Sequence, residues 1–230
     1  MTTQRVPGRG RTIGVGFLAA GTAIAGVITG LGVPSSASEA NHSTAAAVAA
    51  PNGPNYVAAA AMPQGARFGS WTEGPVNSGT PAKAPFCLDG VFDSSDTGNR
   101  AYFGKSKVAA EELVSVLSDT ASADALVTKL QAKIQACYQQ WLNMDIPAYR
   151  GGKRSASWAR YASGGTATDP TVYGVFTVPP AGFDHATNLF AVGKRGNSVM
   201  VLHLVLVGDR ADAPVEQFRA TASAALAALY

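Results

Sequence analysis

The chain has 230 residues, with 18 basic and 15 acidic side chains and a formal net charge of +3. Only 14% of its residues are charged and 47% are hydrophobic, which speaks against a long disordered or nucleic-acid-binding chain. Two cysteines and three histidines exclude a cysteine-rich scaffold and speak against a zinc module.

The first forty residues read as an address. Arg5, Arg9 and Arg11 give a basic start without an acid, residues 13–33 are uncharged and apolar, and Ser35, Ala37, Ser38 and Ala40 are small. That order predicts a secretory signal peptide over residues 1–40, cut after Ala40 or after Ala37. The apolar run is also long enough for an uncleaved membrane anchor. Subtracting the leader's three arginines and one glutamate leaves 15 basic against 14 acidic residues, a net charge of +1, so the basic balance implies no partner. Residues 41–65 are rich in Ala, Asn, Pro and Gly and read as a flexible tether, with a short helical turn near Tyr56 to Met62. The Asn41-His42-Ser43 sequon within it is read as unmodified.

Residues 66–230 are expected to form a single α+β domain. Residues 66–104 mix aromatics with Gly, Ser, Pro and Asp, which suggests short strands and turns without a clear period. Residues 108–117 have helical propensity, yet Val114 and Val116 alternate with Leu113, Ser115 and Leu117, so a strand is preferred. Leu126, Val127, Leu130, Ile134, Cys137, Tyr138 and Trp141 then recur at three- and four-residue steps, the stripe of an amphipathic helix. Strands are expected over 154–162, 171–178, 188–195 and 198–207, the last two joined by a Gly196-Asn197 hairpin turn. Residues 198–207 are apolar on both faces and suit a central strand. A second amphipathic helix, capped by Asp212 and started at Pro214, closes the chain. The sum is an antiparallel sheet of about five strands with two main helices packed against it.

Chemistry-bearing patterns are sparse. In an exported chain Cys87 and Cys137 are most simply a structural disulfide, because neither has the neighbours of a catalytic thiol. Residues 98–106 imitate a phosphate-binding loop but place five residues between the glycines where four are needed, so the match is read as chance. His185, beside Asp184, reads as an exposed loop histidine and His203 as a core one. No catalytic residue, metal ligand or cofactor is assigned. Trp158, Tyr161, Tyr173 and Phe176, with Trp71, are candidates for an apolar ligand groove on the sheet, the competing reading being core under the helices.

Residues 125–141 (ALVTKLQAKIQACYQQW), 194–206 (KRGNSVMVLHLVL) and 218–229 together resemble the PknH-like extracellular sensor domains of actinobacterial proteins. The resemblance covers about the last half of the chain. It implies a helix-and-sheet domain with a cleft for an extracytoplasmic ligand; members commonly carry two disulfides, where only one pair of cysteines exists here. The expected function is therefore a secreted or envelope-associated, non-catalytic binding or sensor-like module. Its ligand would be a small molecule or a cell-envelope component, with no nucleic acid and with membrane contact only through an uncleaved leader. The alternatives are a secreted protein-interaction domain and a secreted hydrolase with an unrecognised site.

Overall fold

The computed structural model describes residues 55–162 and 169–229. The expected leader, residues 41–54 of the expected tether and the sequon lie outside the described residues. Seven strands, β1 (Thr72–Ser78), β2 (Thr97–Phe103), β3 (Ala109–Val116), β4 (Ser155–Ala162), β5 (Thr171–Val178), β6 (Ala186–Arg195) and β7 (Ser198–Val207), form one antiparallel sheet. Their order across it is β1-β2-β3-β7-β6-β5-β4. Two helices, α1 (Thr120–Asn143) and α2 (Val215–Ala228), complete the α+β fold. The expected five strands become seven, and the two additional ones are β1 and β2. Every residue of β1 but Gly74 is exposed, and β2 carries Gly98, Asn99 and Arg100, so neither shows an alternating apolar pattern.

Alternation along the central strands assigns each helix its own face. Met200, Leu202, Leu204 and Leu206 of β7 join Leu189 and Ala191 of β6 in a core with Phe218, Ala222 and Leu226 of α2. Val199 and Val201 join Phe190, Val192 and Tyr173 in a second core with Leu130, Ile134 and Cys137 of α1. β7 is buried on both sides, as its composition indicates. Helix α1 begins at the Asp119 cap, whose carboxylate accepts the Ser122 N–H at 2.7 Å. The second helix starts differently from the expectation: Asp212 belongs to a preceding 3-10 turn capped by Asp209, and Pro214 holds the N-cap position of α2.

Residues 55–65, assigned to the tether by composition, are built into the domain. Val57 and Met62 are 3% and 1% exposed and belong to the α2-side core. α2 has only 14 residues, and this N-terminal segment covers sheet surface beside it. Its apolar anchors are few and separated by alanines, which is why composition alone reads as linker.

Cys87 and Cys137 are joined across 50 residues of chain, with Cα atoms 5.5 Å apart. The bond ties the loop before β2 to α1. Closing a loop of that size restricts the unfolded chain by about 4 kcal/mol. Replacing both cysteines by serine is expected to lower the unfolding free energy by about that amount, read from urea titrations of the two proteins.

Candidate functional site

On the α1 side the ladder aligns side chains in rows across the sheet. One row runs Phe103, Ala109, Val205, Asn188, Val175, Trp158; the next runs Ala101, Glu111, His203, Phe190, Tyr173, Arg160. Over the middle of the first row lies a hollow of about 280 Å³, with Asn188, Val205 and Thr177 at its floor and Phe86, Trp141, Tyr149 and Asp184 around it. Trp141 follows Cys137 by one helical turn, and Phe86 precedes Cys87, so the disulfide fixes two aromatic walls at once. Tyr149 packs against Trp141 at 6.2 Å and against Phe183 at 4.8 Å between ring centres. The Arg154 guanidinium lies 5.4 Å from the Trp141 ring centre and donates to the Leu142 and Met144 carbonyls, which closes the C-terminal end of α1. A second hollow, of about 290 Å³, lies on the other side of the disulfide loop over Leu113, walled by Pro85, Leu88 and Phe92.

Asn188 and Thr177 are the polar groups of the floor, and His203 and Glu111 stand in the next row of the sheet. His203 Nε2 donates to the Asn188 side-chain oxygen at 3.1 Å, and its ring stacks on Phe190 at 4.6 Å. Burial pushes the His203 imidazole down to about 3, so it is neutral at ordinary pH. Glu111, its partner across the ladder, is half-buried, and desolvation pushes its carboxyl up to about 7. Among the described residues no three His, Cys, Asp or Glu side chains converge as a metal site would require.

The opposite face carries a buried carboxylate with a structural task. Glu112 is fully buried, and its Oε2 accepts the Val57 N–H and the Tyr102 hydroxyl, both at 2.9 Å. Tyr102 is also 2.7 Å from the Val57 carbonyl, so one carboxylate and one phenol clip the N-terminal segment to β2 and β3. Trp71 donates to the Pro63 carbonyl at 2.7 Å, and Thr221 of α2 to the Ala61 carbonyl at 2.6 Å. Desolvation outweighs these donors and Arg100 and pushes Glu112 up to about 7.

The sheet separates the four candidates for an aromatic groove into two pairs. Trp158 and Tyr173 are on the α1 side, with Trp158 37% exposed and Tyr173 fully buried. Tyr161 and Phe176 are on the α2 side, 6.5 Å apart between ring centres, where they fold over Gly174 because it has no Cβ. None of the four borders the hollow under Trp141. That hollow draws on Trp141, Tyr149 and Phe86, which come from a helix end and two loops. Trp141 is visible in the helical stripe, but no spacing in the sequence unites it with the other two. The phosphate-loop imitation is strand β2 and the turn after it, and His185 is on an exposed loop against Asp209.

No model of a known family matches this chain, and no curated protein matches it. Among solved structures it is similar to the extracellular domain of PknH from Mycobacterium tuberculosis, with a TM-score of 0.42 and 11% sequence identity. That match covers 75% of this chain and 97% of the other. At this identity and score the likeness assigns no residue and no activity.

Glu112 of the clip, Glu111 and His203 together set the pH dependence of the domain's stability. Glu112 has a folded value raised from 4.5 to about 7, so folding takes up a proton between those limits. Its contribution is complete below pH 4.5 and is lost as the pH rises through 7; Glu111 acts in the same sense. His203 is lowered from 6.5 to about 3, so its contribution is complete above pH 6.5 and is lost on acidification toward 3. Thermal or urea unfolding is expected to show greater stability at pH 5 than at pH 8. In Glu112→Gln the fall between those pH values should shrink by about 3 kcal/mol. An unchanged slope in that variant would remove Glu112 as its source.

Proposed function

We propose that this chain is an exported, non-catalytic binding module of the cell exterior or envelope, and that its ligand occupies the hollow under Trp141. The observation that carries the reading is a concave site with aromatic walls and a polar floor, held in shape by the Cys87–Cys137 bond. Its volume is near the lower end of small-molecule sites, which run from about 300 Å³ upward. Asn188 and Thr177 offer hydrogen bonds that orient a guest, and neutral His203 is already committed to Asn188. The basic, apolar and small-residue order of residues 1–40 supports export, and a disulfide suits an oxidising compartment. Among the described residues no helix is long and apolar enough to cross a membrane.

A second reading, a protein-interaction domain, is favoured by exposed apolar side chains. Phe103, Met144 and Phe183 are 56%, 51% and 44% exposed. Native mass spectrometry of protein collected from culture medium separates the two. The binding module is expected to start at Asn41 or Ser38, to weigh two hydrogens less than the reduced chain, and to carry a non-covalent adduct. Tyr149→Ala, which opens one wall of the hollow at a half-buried position, should lose that adduct while keeping the disulfide. A clean mass without adduct would favour the interaction domain, and protein found only with membranes would overturn cleavage.

A further inference from the structure

We propose that the guest of the hollow is a small organic cation with an apolar body, its charged end seated against Glu111. This deepens the reading of the hollow as a binding site and rests on it.

The argument starts from the sheet beside the hollow. Helix α1 packs on β4 to β7, and on its β1 side the disulfide loop covers Leu113 while the row of Phe103 and Ala109 stays partly open. The Phe103 ring is 56% exposed there, and Ala101 is half-exposed. Phe103 pairs with Ala109 and Ala109 with Val205, and Val205 is also floor of the hollow, so shelf and hollow share one row of the sheet. Glu111 stands on this surface opposite His203, with Val205 as its diagonal neighbour, roughly 7–8 Å away backbone to backbone.

Among the described residues Glu111 has neither a hydrogen-bond nor an ion-pair partner. Its facing neighbours across the ladder are Ala101 of β2 and neutral His203 of β7. The nearest turn offers Lys107, but that ammonium is paired with Asp184, which is the carboxylate at the rim of the hollow. A half-buried carboxylate without a cation is costly, and burial alone accounts for its carboxyl rising to about 7. The surface thus presents one unmet negative charge next to exposed aromatic and apolar area. The complementary guest carries an ammonium or amidinium group at one end and a ring or alkyl body at the other. Two strands across and two residues along, a reach of roughly 12 Å takes the body from Glu111 to Asn188.

The test uses phenethylamine as the cationic probe and phenethyl alcohol as its neutral counterpart. Each is titrated at pH 8 into the ¹⁵N-labelled protein, where the carboxyl is ionised and the amine protonated. The amine is expected to shift the amides of Ala101, Glu111, Val205 and Asn188 and to bind about fivefold or more tightly than the alcohol. Glu111→Gln should bring that ratio to about one. The amide keeps the shape and removes a buried charge, so the variant is expected to fold at least as well at pH 8. Equal binding of amine and alcohol at these amides would overturn the cation and leave the hollow as the site. Shifts from neither probe at these positions would overturn the hollow as well.

Discussion

Burial of β7 on both faces is the constraint from which the rest of the structure follows. Its ten residues are apolar almost without interruption, so the sheet is stable only if both sides are covered. β7 also joins the two halves of the sheet, pairing with β3 on one side and β6 on the other. Helix α1 covers one face and α2 the other, and each is short of the full width of seven strands. Two features of the domain answer that shortage. On the α2 side the N-terminal segment fills in, and on the α1 side the disulfide loop does, over Leu113.

These two supplements are held by different physics. The loop is fastened covalently, and the Cys87–Cys137 bond acts on the unfolded chain by removing about 4 kcal/mol of its freedom. The N-terminal segment is fastened by hydrogen bonds to one buried carboxylate, a phenol and an indole. A covalent tie keeps its geometry at any pH. A buried carboxylate does not, because ionising it in a low-dielectric setting costs more in lost hydration than the bonds from Val57 and Tyr102 return. The walls of the hollow belong to the covalent side, which suits a site that must keep its shape.

Much of this architecture was legible in the residues. The stripe from Leu126 to Trp141, the apolar run of residues 198–207 and the Gly196-Asn197 turn each carry a local signal strong enough to place an element. The short strands suggested for residues 66–104 could not be placed or counted as β1 and β2, because β1 is an exposed edge held mainly by its pairing with β2. An edge strand with a proline and a bulge protects itself from aggregation by lacking the pattern that identifies a strand. The hollow was illegible for another reason. Phe86, Trp141 and Tyr149 meet only because a disulfide, a helix length and a loop end coincide, and none of these is a spacing. The aromatics of β4 and β5 drew attention by their density, yet strand alternation sends Trp158 and Tyr173 to one face and Tyr161 and Phe176 to the other.

Glu111 and Glu112 show how the same residue acquires two roles from period-two geometry alone. They are neighbours in β3, so their side chains leave opposite faces of the sheet. Glu112 enters a closed space where Val57, Tyr102 and the nearby Arg100 meet it, and it becomes a fastener. Glu111 emerges where α1 no longer covers the sheet, beside apolar area and without a cation. A strand that only needed to pack would place an apolar residue at that position, next to Leu113 and across from His203. The carboxylate costs stability whenever it is ionised, and no bond within the described residues offsets it. The cation proposed for this surface would offset that cost.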